Sequence, residues 1–259
     1  MKYWDVASTG LRMAAGLSVL AAAAVMQLII LLVLLPSRLA RVKSCIFFAR
    51  FVGVCSLKIL GCRMNVSGGE HLDSDRPAIY IVNHTSIVDL FVGMSLMPYR
   101  CVGIAKKEIV YYPFFGQIYL LSGHLRIDRG TRESAVASMN TLGELVQKGK
   151  LSILMSPEGT RSRDGRLLPF KKGFVHLAMQ TGLPVVPIII HGAHLSWRAD
   201  SMAVHGVTVR VEVLPAIDTS GWTAETTGQA VEQIHAIYRG RLSADQLPEN
   251  SVENDTGES

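Results

Sequence analysis

Hydrophobic and polar positions change rhythm twice along the chain. The first texture is an unbroken apolar run, Met13 to Leu35, in which 23 consecutive positions carry no charge. Wound as a helix at about 1.5 Å per residue, it reaches about 34 Å, enough for a hydrocarbon core of roughly 30 Å. A secretory signal is disfavoured, because the run outlasts a usual signal core and Pro36-Ser37-Arg38 is a poor cleavage context. Arg38, Arg41 and Lys43 follow the run, against Lys2 and Arg12 before it. That bias points to a cytoplasmic C-terminal side. A second apolar stretch, Cys45 to Leu60, is interrupted by Arg50 and Lys58. Its pattern suits an interfacial or re-entrant helix and a buried core helix equally well.

From Arg63 onward, short apolar runs alternate with amphipathic stretches. Strands are expected at Arg63–Val66, Ala78–Val82, Cys101–Ala105, Leu125–Asp128, Leu151–Met155, Val185–Ile190 and Val207–Val213, with helices beginning near Ile87, Glu108, Arg132, Gly173 and Ala224. A continuous run such as Val185-Val186-Pro187-Ile188-Ile189-Ile190 suits a strand covered on both faces. Strands alternating with helices predict an α/β fold, a mostly parallel sheet flanked by helices, preceded by a hydrophobic helical segment that anchors the chain in a membrane. The expected organisation is an anchoring segment over 1–60, an α/β domain over 61–242 and an acidic, disordered tail over 243–259. Removing residues 1–60 is then expected to release a soluble domain that no longer reaches substrate held in a bilayer.

Composition sharpens this picture. Of the 259 residues, 49% are apolar and 18% charged, against about 25% charged in ordinary soluble domains. This excludes a disordered chain, and a mean hydropathy of +0.28 points towards lipid. Asp245, Glu249, Glu253, Asp255 and Glu258 gather in the tail without a Lys or Arg, so the body is more basic than the overall +5 suggests. A basic body suits an anionic membrane surface or a phosphorylated substrate. Nucleic acid is not supported, since no binding motif and no basic run interleaved with aromatics is present. Cys45, Cys55, Cys62 and Cys101 form no C-x-x-C pair, which argues against a zinc site or a disulfide framework.

Candidate chemistry sits where expected strands end. Asn83-His84-Thr85-Ser86-Ile87-Val88-Asp89 follows one of them, and ligands of open α/β sheets bind beyond the carboxyl ends of strands. Asp89, in the first turn of the next helix, can reach back to one imidazole nitrogen of His84 while the other faces a cleft, as a general base requires. The same spacing, Ser86-x-x-Asp89, is also a capping-box pattern. Ser156-Pro157-Glu158-Gly159-Thr160-Arg161-Ser162 follows a second strand on the same edge. There Gly159 lets backbone approach a ligand, Glu158 can accept from a substrate hydroxyl, and the planar fork of Arg161 fits phosphate. Arg161, Arg163, Arg166, Lys171 and Lys172 crowd one segment, which favours an anion site or a membrane-facing patch over a solvated turn. Lys106 and Arg129 each end a strand. Taken singly they read as solvated charges, although both can converge on the same edge.

In their order and spacing, Asn83-His84-x-x-x-x-Asp89, Pro157-Glu158-Gly159-Thr160-Arg161-Ser162 and Val186-Pro187-Ile188 resemble the glycerolipid acyltransferases, specifically the 1-acyl-sn-glycerol-3-phosphate acyltransferases. Lys106-Lys107-Glu108, Pro113-Phe114-Phe115-Gly116-Gln117 and Ile127-Asp128-Arg129 look like the same subfamily. The resemblance covers about Ala78 to Gly192, with Ser156 standing where the family usually has an aromatic residue. It implies a catalytic base at His84 with Asp89 as its partner. It also implies an acceptor site made by Glu158, Gly159, Thr160 and Arg161, with Arg129 and Lys106 beside it. The implied reaction moves an acyl group from acyl-CoA or acyl carrier protein to the 2-hydroxyl of lysophosphatidic acid, with no metal or redox cofactor, on the cytoplasmic side of the inner membrane. Loop N–H groups are expected to hold the oxyanion. Two rivals remain at this point: an acyltransferase or transacylase for another lyso-lipid, and a non-catalytic lipid-binding protein.

Overall fold

A computed structural model describes residues 3–72, 76–98, 100–111, 115–127, 131–197 and 204–248. Seven strands form one sheet: β1 (Arg63–Ser67), β2 (Ile79–Val82), β3 (Cys101–Lys106), β4 (Leu125–Ile127), β5 (Ser152–Met155), β6 (Val185–His191) and β7 (Thr208–Val213). Their order across the sheet is β1-β7-β6-β2-β5-β3-β4. Every neighbouring pair is parallel except β6 and β7, so the sheet is mostly parallel with one reversal near its edge. Each expected strand is present within a residue or two at the ends.

The central strands show why the sequence reads so clearly. All four residues of β2 and all seven of β6 are buried, which a strand reaches only when helices cover both faces of its sheet. The described residues form seven helices: α1 (Tyr3–Val33), α2 (Arg38–Ile59), α3 (Val88–Leu96), α4 (Phe115–Ser122), α5 (Arg132–Gly149), α6 (Gly173–Thr181) and α7 (Thr227–Arg239). They associate as two groups, α1 to α4 and α5 to α7. Only a short 3-10 turn, Lys107–Tyr111, forms where a helix was expected from Glu108.

The second apolar stretch belongs to the core as well as to the surface. Val42, Ile46, Ala49 and Leu57 of α2 lie in the same hydrophobic cluster as β2 and β6. Their helix crosses α3 at close range: a Cβ on Gly53 would stand 2.6 Å from Ser95 N and 2.7 Å from Phe91 O, so only glycine fits there. On the opposite side of α2, Phe47 is 79% exposed and Phe51 and Val54 are also open. The packing therefore runs through position 60, since the inner face of α2 is part of the same core as the sheet.

Helix α1 lies against α2 and α4 through a small cluster of Leu31, Cys45 and Ile118. Gln27, the one amide of the uncharged run, is buried and donates to Ser44 Oγ at 3.0 Å and Cys45 Sγ at 3.3 Å. Away from these contacts α1 is open: Leu17, Val25, Met26, Ile29, Leu32 and Val33 are exposed. Ala14–Val33 is the one helical stretch among the described residues long and apolar enough to cross a membrane.

The C-terminal boundary also shifts. Ser243–Leu247 is docked rather than loose, with Gln246 fully buried. Its side chain accepts from Gly192 N at 3.1 Å, while its carbonyl accepts from Leu167 N at 2.8 Å. Residues 249–259, the rest of the expected tail, lie outside the described residues.

Candidate active site

Strand β2 ends in a position fixed from both sides. Asn83, buried, donates to Ile190 O at 2.9 Å and accepts from Ile190 N at 2.8 Å, extending the β2–β6 ladder through a side chain. The Tyr238 hydroxyl, reaching from α7, donates to Ile81 O at 2.7 Å. His84 is thus the first residue free of the sheet, and it starts a tight turn into α3.

One carboxylate oxygen organises that turn. Asp89 Oδ2 accepts from Thr85 N at 2.5 Å and Ser86 N at 2.7 Å, and it lies 3.5 Å from His84 Nδ1. Asp89 is 3% exposed, whereas the His84 side chain is 30% exposed. The two readings left open by the spacing are therefore both realised: Asp89 caps the turn and faces the imidazole. A carboxylate facing Nδ1 favours the tautomer that carries its proton there. A separation of 3.5 Å is long for a hydrogen bond, as is common before substrate tightens such a pair.

Glu158 occupies an inward position and does not line the acceptor side. It is 1% exposed, accepting from His84 N at 2.6 Å and Leu168 N at 3.2 Å. Burial pushes its carboxyl up to about 8, with the nearby Asp89 charge adding to the shift and the two amides opposing it. The amides of His84, Thr85 and Ser86 are consequently all committed to carboxyl oxygens. Those three donors are therefore not free to hold an oxyanion.

The loop after β5 is fastened to the same turn. Ser162 N donates to His84 O at 2.9 Å, and Gly159, at φ +72°, bends the chain between Glu158 and Thr160. Thr160 is exposed and Arg161 half-buried, with its Nε buried and without a hydrogen-bond partner. Ser156, at the position of the expected aromatic, also has a buried hydroxyl without a partner. The structure thus brings together His84, Asp89, Glu158, Gly159, Thr160 and Arg161. Lys106 closes β3, but its side chain, like the whole of Arg129, lies outside the described residues.

An apolar cavity of about 280 Å³ opens beside His84 and Asp89. Its walls come from α2 (Cys45, Phe48, Ala49), α3 (Leu90, Gly93, Met94), Gly103 and Ile104 of β3, and Ile118 and Tyr119 of α4. Sequence patterning did not reveal α2 as part of this wall, since its lining residues look like ordinary core positions. His124 adds a polar point to the lining. It accepts from Gly103 N through Nδ1 at 3.1 Å and stacks on Tyr119, and burial lowers its pKa to about 4, so the ring is neutral.

A histidine facing a carboxylate, an apolar slot beside it and a basic loop tied to the same turn suit acyl transfer by an α/β enzyme. A family model described as "Acyltransferase" matches residues 63–191. The chain is 43% identical over 224 residues to a 1-acyl-sn-glycerol-3-phosphate acyltransferase of Limnanthes douglasii, covering 86% of this chain and 79% of that one. It is 44% identical to one from Cocos nucifera over 85% of this chain and 70% of that one. With the corresponding protein of Escherichia coli K12 it shares 33% identity, over 76% and 77%. The crystal structure of the 1-acyl-sn-glycerophosphate acyltransferase of Thermotoga maritima superposes with a TM-score of 0.65 at 23% identity, over 85% of this chain and 83% of that one, a likeness of fold. The chain belongs to the 1-acyl-sn-glycerol-3-phosphate acyltransferase family.

Proposed function

We propose that this protein acylates the free hydroxyl of lysophosphatidic acid, giving phosphatidic acid, with acyl-CoA or acyl carrier protein as donor. The observation that carries the reading is the His84–Asp89 pair at the mouth of the apolar cavity, with the Arg161 loop hydrogen-bonded to the same turn. The donor's chain lies in the cavity, which brings its thioester carbonyl to His84. Nε2 of His84 takes the proton from the acceptor hydroxyl as that oxygen attacks the carbonyl. Asp89 offsets the charge that appears on the imidazolium. Collapse of the tetrahedral intermediate breaks the C–S bond, and the proton on His84 passes to the leaving thiolate. Arg161 holds the acceptor's phosphate through its fork, with Thr160 exposed beside it and Arg129 and Lys106 as further cations.

Placement at a membrane fits the same picture. The open faces of α1 and α2, with Phe47 on α2, would enter the lipid, while the basic residues Arg38, Arg41 and Lys43 sit towards an anionic cytoplasmic surface. A panel of lyso-acceptors offered with one acyl donor tests the assignment. Lysophosphatidic acid is expected to give the highest kcat/KM. A phosphate-free or choline-bearing acceptor that outperformed it would overturn the phosphate-monoester reading while leaving the dyad intact.

A further inference from the structure

One cation of the loop region stands apart from the others. Lys171 follows Phe170 on the return from the loop, and its N–H donates to Pro157 O at 2.8 Å, so its backbone is tied to the residue before Glu158. Its side chain runs back across Gly159. Cδ, Nζ and Cε lie 3.1, 3.2 and 3.3 Å from where a Cβ on that glycine would stand. The side chain therefore lies over Gly159, whose φ of +72° and bare Cα leave room for it. Arg161 is two residues further on. Among the described residues neither Lys171 nor Arg161 forms an ion pair, in contrast to Arg166, which pairs with Asp164, and Lys148, which pairs with Glu144. Lys171 and Arg161 thus come from two backbone segments that meet at Pro157 and Gly159, and among the described residues neither has a carboxylate partner.

We propose that Lys171 is a second ligand of the acceptor's phosphate, and that together with Arg161 it selects a phosphate monoester over a diester. This rests on the acceptor reading above and adds a residue and a selectivity to it. The chemistry follows from charge. A monoester with its second ionisation near pH 6 carries between one and two negative charges at neutral pH, whereas a diester carries one. Arg161 alone, through a planar fork, matches the single charge of either. A compact ammonium on a separate backbone segment matches the second charge, which only the monoester has. Gly159, lacking a Cβ, lets the Lys171 side chain cross close to the loop backbone, two residues from Arg161.

The test uses the full chain and two unreactive probes, dodecyl phosphate and its methyl ester, with binding measured by titration and by competition against acyl transfer. Wild type is expected to bind the monoester at least about tenfold more tightly than the diester, the usual size of a charge-assisted contact. Lys171→Ala should remove most of that preference by weakening the monoester alone, raising acceptor KM with kcat little changed. Lys171→Arg should restore it in part. Monoester affinity of wild type should fall as pH drops through about 6, where the second charge is lost. In Lys171→Ala that fall should flatten. Lys171→Gln is carried in parallel with thermal melting, so that a folding defect in the alanine variant does not decide the outcome, and Lys148→Ala controls for loss of any surface charge. Equal weakening of both probes, or a loss of kcat at unchanged KM, would overturn the role of Lys171 while lysophosphatidic acid remained the acceptor. A wild type that does not discriminate between the probes would overturn the selectivity and the acceptor reading together.

Discussion

Asp89 serves the backbone and the imidazole through a single oxygen, while its Oδ1 is buried without a partner. That geometry separates the two roles experimentally. In Asp89→Asn the amide oxygen can keep the bonds from Thr85 N and Ser86 N, so a cost of about 1 kcal/mol, the scale of a lost cap, bounds the fall in stability. The charge opposite His84 is gone, however, and the amide can favour the wrong tautomer. A comparable swap in a His-Asp pair costs about 10⁴-fold. Asp89→Asn is therefore expected to lose at least about 10²-fold in kcat with a melting temperature lowered by no more than a few degrees. His84→Ala should lose a similar factor without weakening acceptor binding. Intact turnover in the asparagine variant would leave Asp89 as a cap only. Glu158 makes a different prediction, about pH. Its carboxyl, raised by burial to about 8, binds a proton in the folded chain at pH values where the unfolded chain has released it. Folding stability then falls as pH rises from the ordinary carboxyl range through about 8, because an ionised carboxylate must be held inside. Glu158→Gln carries no such charge, so wild type should lose stability relative to this variant between about pH 5 and pH 8. Urea unfolding of both at the two pH values measures the difference, and parallel curves would refute it.

The central strands were legible because they are covered on both faces: β2 and β6 are continuous apolar runs, and the end of β2 falls where a polar motif begins. His84, Asp89 and Arg161 were legible for the same reason, since each motif starts within a few residues of a strand's carboxyl end. What escaped the sequence is held by contacts between distant segments. Glu158 sits in a polar motif that looks exposed, yet its partners are amides 74 and 10 residues away, and nothing local marks it as buried. Gln246 borders an acidic tail of disordered composition, and its burial depends on Gly192 and Leu167 meeting it in space. The apolar stretch of α2 gave an ambiguous reading because one side of the helix is buried in the core and the other is exposed. Its period cannot say that the inner side faces α3 and the cavity while Phe47 faces outward. Lys171 was visible only as one member of a basic run, and its distinction comes from the glycine it crosses.

The same two-sided use of α2 changes what truncation should do to the molecule. If residues 1–60 were a detachable anchor, cutting them off would free a soluble enzyme. The packing says otherwise, since that cut removes Val42, Ile46 and Leu57 from the main core along with one wall of the cavity. Losing a buried aliphatic side chain costs about 2–5 kcal/mol, and three such losses are comparable to the whole stability of a domain, about 5–15 kcal/mol. A chain beginning at Gly61 is therefore expected to be insoluble or to melt without cooperativity. A chain beginning at Ser37 is a different case. It retains α2 with Ser37 accepting from Ala40 N as its N-cap, and it gives up the small cluster around Leu31, the Gln27 contacts and the Arg41 bond to Leu35 O, none of them part of the main core. That form should melt cooperatively, lose its hold on vesicles, and still acylate a short-chain acceptor dispersed in detergent in a His84-dependent way. On acceptor embedded in a bilayer its rate should drop at least about tenfold, since the apolar area of α1 supplies much of the membrane affinity. Vesicle flotation beside turnover on the two acceptor forms decides the matter. A monodisperse, cooperatively melting chain from Gly61 would show that α2 is dispensable to the core, and full activity on bilayer acceptor without α1 would remove its role as the anchor.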